Sequence, residues 1–246
     1  MKCERDQIRN RIHSINPKKW KADPYDVRYF LISELKKVFK KSVLDVGGGL
    51  GIICSEFDLS NFCINLDISL QDLKLCNNKF RNSIHVVNNS MTNISLKDNS
   101  FDYVICAHLL EVAKLLDIEN KQVIKNKIDK FPTVRKVLDE IHRVLKPDGV
   151  LLLTTPNNAY YQTSKLTYDE LKLHLKKNFE NFSLSFYNTF PRLKSQNRKL
   201  NMANVLPKLM TKLSNRKKII QESLIKSDNG KDKYSVSFFV EAKKLK

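Results

Sequence analysis

The sequence predicts an α/β protein, an open and mostly parallel sheet with helices on both faces. Three observations carry this. Val43-Leu44-Asp45-Val46 is an apolar run interrupted by an acid, and it opens into Gly47-Gly48-Gly49-Leu50-Gly51. A strand running into a glycine loop is the unit on which open α/β sheets bind nucleotide-like ligands. Phe62-Cys63-Ile64-Asn65-Leu66-Asp67 follows as a second apolar run ending in an acid, at about the 20-residue spacing at which such units place a ribose-binding carboxylate. Further runs suited to buried strands, Phe101 to Ala107 and Val150 to Thr155, alternate with helical patterns.

Each element has a local reason. Cys3 to Phe39 reads as helical, with Ile8, Ile12 and Ile15 on one stripe and breaks at Pro17 and Pro24. Tyr25 to Phe39 forms the second of these helices, with Val27, Phe30, Leu31 and Leu35 facing inward. After the glycine loop, Ile52 to Phe57 begins a helix. Another starts at Ser69, a good N-cap, and runs through Leu70, Leu73 and Leu75. Ile84 to Val87 is a third strand. Pro147-Asp148-Gly149 is a turn that stops a helix and launches a fully buried strand. Thr167 to Leu171 opens a helix with a capping pattern. Phe182 to Tyr187 is a sixth strand and Tyr234 to Ala242 a seventh, separated by an insertion.

The glycine loop narrows the ligand. A dinucleotide fingerprint needs a third glycine where Ile52 stands, and no Gly-Lys-Ser/Thr follows for a phosphate loop. The D-x-G-x-G-x-G pattern that remains resembles the first motif of class I S-adenosylmethionine-dependent methyltransferases. Asn99-Ser100-Phe101-Asp102-Tyr103-Val104 resembles their fourth strand. Glu140-Ile141-His142-Arg143-Val144-Leu145-Lys146-Pro147-Asp148-Gly149 resembles their E-x-x-R-V-L-K-P-G-G segment. The resemblance is dense from about Lys41 to Thr155, and in style it is nearest the ubiquinone/menaquinone-biosynthesis type.

That resemblance implies a Rossmann-like, seven-stranded sheet whose last strand is antiparallel, and S-adenosyl-L-methionine as cofactor. It implies a cofactor site of Asp45, Gly47, Gly48, Gly49, Gly51, Asp67, Ile68, Asn89, Ser90, Met91 and Ala107. Asn89-Ser90-Met91 stands where the family usually carries an acid that reads the adenine amine, and Val112 stands where the related subgroup often has His. In-line displacement at the sulfonium needs mainly alignment, with a base only if the acceptor must lose a proton. His108, just past the fourth strand, is the first candidate for that base and Glu111 the second. His142 reads as structural. Trp20, Tyr25 and Tyr29 from the N-terminal helices, and Asn157, Tyr160 and Tyr161 after the fifth strand, are candidates to line the pocket.

Composition bounds the rest. A chain of 246 residues is long enough for one α/β domain with a substantial core. We divide it into an N-terminal helical cap (1–40), a cofactor-binding core (41–187), a basic insertion (188–233) and the last strand and tail (234–246). No apolar segment is long enough to span a bilayer, and the N-terminus is not a signal peptide. Five cysteines without C-x-x-C spacing favour free thiols in a reducing cytoplasm over zinc or disulfides.

The net charge of +18 raises the question of an anionic partner. Much of the lysine scatters over solvated faces. Between Glu180 and Glu222, however, no acid occurs, and Val205, Leu206, Leu209, Met210 and Leu213 recur at helical spacing among basic residues. Such an amphipathic helix suits docking on the sheet, on a membrane surface or on an anionic acceptor. Nucleic acid is not favoured, because the chain has neither D/N-P-P-Y/F nor a Pro-Cys nucleophile. The expected activity is methyl transfer to oxygen or nitrogen of a small-molecule, sugar- or lipid-linked acceptor. An RNA or protein methyltransferase and a non-catalytic cofactor-binding scaffold are the alternatives.

Overall fold

The computed structural model describes residues 28–81, 83–120, 130–156, 166–188, 225–227 and 237–245. Helix α1 (Arg28–Leu35) leads into β1 (Ser42–Val46), a 3-10 turn (Cys54–Glu56), β2 (Phe62–Asp67) and α2 (Leu70–Phe80). Then come β3 (His85–Asn88), β4 (Phe101–Ala107), α3 (Leu110–Glu119), α4 (Pro132–Val144) and β5 (Leu145–Pro156). The chain continues through α5 (Tyr168–Asn178), β6 (Asn181–Asn188), β7 (Ile225–Ser227) and β8 (Ser237–Lys243).

The strands form one sheet in the order β3-β2-β1-β4-β5-β8-β6-β7. Neighbours from β3 to β5 are parallel, and β8 enters antiparallel between β5 and β6. This is the Rossmann-like plan of seven strands with an antiparallel last strand. The three-residue β7 pairs antiparallel with β6 at the edge and comes from the stretch read from sequence as an insertion.

Strand alternation divides the core between the two faces. Leu44, Val46, Leu66, Val104, Cys106, Leu151 and Leu153 pack with α3, α4 and α5. Val43, Cys63, Ile105 and Leu152 pack on the other face with Leu31 and Leu35 of α1 and Cys76 of α2. Of the leucines expected to define α2, Leu73 is buried, whereas Leu70 and Leu75 are exposed. The helix expected over Ile52 to Phe57 shrinks to the 3-10 turn. Glu56 N and Phe57 N bond Ile53 O and Cys54 O three residues back, and Phe57 turns extended at ψ 158°; beyond it Asp58 Oδ1 accepts from Ser60 N at 2.8 Å and its carbonyl from Asn61 N at 3.1 Å. Local bonds of that kind compete with helix continuation.

The family-like segments brace the sheet. Asp102 Oδ2 accepts from Ser42 N and Lys146 Nζ, each at 2.9 Å, and from Ser42 Oγ at 2.6 Å, joining β4 to the starts of β1 and β5. Arg143 pairs with Glu140 and Asp98 and donates to the carbonyls of Leu96 and Ile94, so α4 grips the loop between β3 and β4. Lys244, just past β8, donates to the carbonyls of His142 and Leu145 at the end of α4, where a cation complements the helix dipole. Pro147-Asp148-Gly149 makes the expected turn, with the Lys146 carbonyl folded close over Gly149. It lies near the start of β5 and shifts the register against β4, with Asp148 at φ 64°. The capping box expected at Thr167 is present, with Glu170 as its second half.

Sequence expectations for the helix before Pro17, for the aromatics Trp20 and Tyr25, for Asn157, Tyr160 and Tyr161, and for the amphipathic stretch Val205 to Leu213 lie outside the described residues. The side chain of Tyr29 does too.

Burial alone would raise the Asp102 carboxyl, but the bonds from Ser42 and Lys146 outweigh it and hold the group at about 2. A carboxyl depressed on folding stabilises above its ordinary value and loses that contribution as pH falls through the folded value. Asp102→Asn is expected to lose about 2 kcal/mol at neutral pH, and to flatten the loss of stability between about pH 4 and pH 2 in denaturant titrations.

Candidate functional site

In an open α/β sheet the ligand crevice lies beyond the carboxyl ends of the strands, where the strand order reverses. Here that point falls between β1 and β4. The glycine loop after β1 and His108 after β4 flank it.

The loop is tied to β2. Gly47 N and Gly48 N donate to Leu66 O at 2.7 and 3.3 Å, and Gly49 N donates to Asp67 Oδ2 at 2.9 Å. Gly51 N turns back to Gly48 O at 2.9 Å. Gly47 has φ 75°, and a Cβ there would lie 2.6 Å from Leu109 Cδ1, so the loops after β1 and β4 touch at this point. At Gly48 the constraint is space. A Cβ would overlap Asn65 Oδ1 and stand 2.5 Å from Asp45 Oδ2.

Asp45 and Asn65 are both fully buried beneath this loop. Asn65 Nδ2 donates to Gly49 O at 2.8 Å, and Asp45 Oδ2 accepts from the Cys54 thiol at 3.6 Å. Asp45 Oδ1 and Asn65 Oδ1 have no donor among the described residues. Burial pushes the Asp45 carboxyl up to about 7; the Cys54 thiol pulls it down and the charge of Asp67 raises it further. Sequence reasoning passed over Asn65. The available signal was an amide in the middle of an otherwise apolar strand.

Asp67 ends β2, where its Oδ1 accepts from Ser69 N at 2.8 Å. Ser69 caps α2 by accepting from Asp72 N, so the strand-tip acid and the helix start are both real. Ile68 beside it is 64% exposed. Asn89 N donates to Asp67 O at 3.1 Å, drawing the end of β3 to the same edge. The Asn89 side chain bridges to Ser95 at 2.8 Å, and Ser90 Oγ lies 3.0 Å from Thr92 Oγ1. Both expected adenine-reading side chains therefore brace their own loop, while Met91 packs partly against the core. Ala107 is the last residue of β4.

His108 N donates to Thr154 O at 2.8 Å, one residue past β4. The backbone there turns to φ 55°, a left-handed conformation uncommon outside glycine. The His108 Nδ1 lies 3.1 Å from Glu111 Oε1, and Glu111 Oε2 accepts from Thr155 Oγ1 at 3.2 Å. Thr155, on β5, is a participant that sequence reasoning did not single out. His142 stacks edge-on with Phe179 within the α4 side of the fold, its rings 5.4 Å apart, as expected of a structural residue. Among the described residues, no group of His, Cys, Asp and Glu could hold a metal ion.

Residues 44–153 match the model of a family described as a methyltransferase domain. The chain carries a class I S-adenosylmethionine-dependent methyltransferase domain. The methyltransferase fold recurs in solved structures of low sequence identity. NodS, an N-methyltransferase from Bradyrhizobium japonicum solved with S-adenosyl-L-homocysteine, is 11% identical, with a TM-score of 0.55 and 94% of each chain covered. An S-adenosylmethionine-dependent methyltransferase from Aquifex aeolicus is 14% identical, with the same TM-score and coverage. YcgJ from Bacillus subtilis is 14% identical with a TM-score of 0.52, over 89% of this chain and 97% of that one. No curated protein matches the chain by sequence.

S-adenosylmethionine is the cofactor of this methyltransferase, and the site suits it. Two buried acceptors without donors under the loop, Asp45 Oδ1 and Asn65 Oδ1, match an ammonium-bearing ligand. The Asp67 carboxylate is the group type that receives paired ribose hydroxyls.

Two outcomes follow from this floor. Gly48→Ala is expected to lower stability by about 1–3 kcal/mol and to weaken cofactor binding, read by denaturation and calorimetry. Because folding raises the Asp45 carboxyl from 3.8 to about 7, the folded protein holds a proton that the unfolded chain releases. Stability therefore falls as pH rises from about 4 to about 7 and then levels. Asp45→Asn is expected to remove that slope in urea midpoints compared at about pH 5 and about pH 8.

Proposed function

We propose that this methyltransferase acts on an oxygen or nitrogen of a small, sugar- or lipid-linked metabolite, with His108 as the base that takes the acceptor's proton. The observation that supports the base is the position of His108: it stands across the switch point from the glycine loop, in a left-handed turn, with a carboxylate on Nδ1. Bound S-adenosylmethionine supplies a methyl group on a positively charged sulfur, a leaving group that is already activated.

The chain's own residues do the rest. Gly47, Gly48, Gly49 and Gly51 shape the cradle, with Asp45 and Asn65 beneath it. Asp67 receives the ribose. Ile68 and Met91 offer apolar surface, and Asn89 and Ser90 fix the loop that frames the adenine side. Ala107, ending β4, leaves room beside His108. The four described cysteines are free and buried, which supports a reducing, cytoplasmic setting. Among the described residues, no helix is long and apolar enough to cross a membrane.

A second reading, methyl transfer to RNA or protein docked through the basic stretch between Glu180 and Glu222, draws on the net charge of +18. Binding to RNA that weakens steeply with salt would favour it.

Calorimetry tests the cofactor site. Wild type is expected to bind S-adenosylmethionine and S-adenosylhomocysteine, and Asp67→Ala to weaken binding about 100-fold through loss of two charge-assisted hydrogen bonds. Incubation with metabolite pools and S-adenosylmethionine is expected to yield a small molecule heavier by one methyl group, read by mass spectrometry. A wild type that binds neither ligand contradicts the proposal.

A further inference from the structure

We infer that Glu111, itself held by Thr155, is a positioning residue that fixes the tautomer and orientation of the His108 imidazole. The inference rests on His108 being the base, as proposed above, and adds the groups that make it one.

Three elements meet here. His108 follows β4, Glu111 lies in the first turn of α3, and Thr155 is on β5. The Thr155 hydroxyl is fully buried and donates to Glu111 Oε2 at 3.2 Å, leaving Glu111 Oε1 facing His108 Nδ1 at 3.1 Å. Glu111 is 17% exposed at its side chain and His108 30%, so the carboxylate is the more sheltered of the pair, and the Nε2 atom of the ring is itself buried. The backbone contributes as well. Pairing of His108 N with Thr154 O fixes the residue's start, and the left-handed turn sets the direction in which the ring leaves the sheet.

The chemistry follows from which nitrogen carries hydrogen. A carboxylate is only an acceptor, so His108 must donate through Nδ1–H, and in the neutral ring the lone pair is then on Nε2. When the acceptor is deprotonated, its bond to hydrogen breaks, the electron pair stays on the acceptor atom, and the proton joins Nε2. The resulting imidazolium is stabilised by the Glu111 charge.

Other titratable groups nearby do not take over this role. Lys114, the next charged residue of α3, is paired with Glu170 of α5 at 2.8 Å. Burial keeps Cys106 of β4 a neutral thiol, its titration pushed well up, with the charges of Glu111 and Asp45 adding to the effect. Asp45 lies on β1 beneath the glycine loop. On β5, Thr154 and Thr155 are uncharged.

The test is a nitrogen-detected NMR titration of the His108 ring, assigned with His108→Gln, in the full chain with and without S-adenosylhomocysteine. Wild type is expected to show the Nδ1–H tautomer. Glu111→Gln, which keeps the shape and removes the charge, is expected to lower the His108 midpoint by about one pH unit. Thr155→Val keeps Glu111 and is expected to give a smaller shift in the same direction; backbone amide spectra verify that each variant is folded. An Nε2–H tautomer in wild type, or an unchanged midpoint in Glu111→Gln, overturns the inference. Failure of the wild type to bind S-adenosylhomocysteine contradicts the cofactor site instead, and leaves the ring titration readable by itself.

Discussion

The backbone of Gly48 lies directly on two buried polar side chains, and much of the site depends on that contact. Asp45 and Asn65 come from adjacent strands and are paired in register, so their tips meet on one face of the sheet under the loop. Any side chain at Gly48 would occupy the space those tips already fill. The closeness lowers the loop until Gly49 N reaches the Asp67 carboxylate at 2.9 Å, which ties the ends of β1 and β2 together. Burying an acid without a salt-bridge partner is unfavourable for its charged form, and the elevated titration of Asp45 expresses that tension. A cationic group arriving above the loop would relieve it.

The other recognisable segments of the sequence, around Asp102 and from Glu140 to Gly149, are remote from this floor. The Arg143 guanidinium secures the connection between β3 and β4, Asp102 locks the starts of three strands, and Lys244 closes the end of α4. These contacts hold the amino ends of the strands and the covering helices. The carboxyl ends are thereby left to irregular backbone: a glycine loop, a strand-tip acid and a left-handed histidine. Framework and site are divided between opposite ends of the same strands, so residues of a recognisable motif serve the fold without touching ligand.

The strand plan was legible because buried parallel strands read as near-continuous apolar runs: Leu151 to Leu153 is unbroken, and Val43 to Val46 and Cys63 to Leu66 are each broken once, by Asp45 and Asn65. Asp67 and the glycines were legible because few residue types serve those positions. The helix expected after the glycine loop is cut short where Phe57 turns extended, and the acceptors of Asp58 then take the amides of Ser60 and Asn61, so that no helix resumes there. Pro147-Asp148-Gly149 has the composition of a turn and makes one, but its pairing through Asp148 N and Gly149 O with Lys244 could not be read locally. Asn65 and Thr155 were invisible for another reason. Their importance comes from partners 16 and 44 residues away in the chain, which no local pattern encodes. Asn89 was readable as polar, but nothing in its neighbourhood announced that Ser95 would occupy its side chain.

In the proposed function the S-adenosyl cofactor is held at the carboxyl ends of β1, β2, β3 and β4. Amide chemical-shift mapping during titration with S-adenosylhomocysteine tests it most directly. The largest changes are expected at Gly47 to Gly51, Asp67 to Ser69, Asn89 to Met91 and Ala107 to Leu109. Changes confined to the opposite ends of the strands, around Lys41, Phe62 and Phe101, would contradict it.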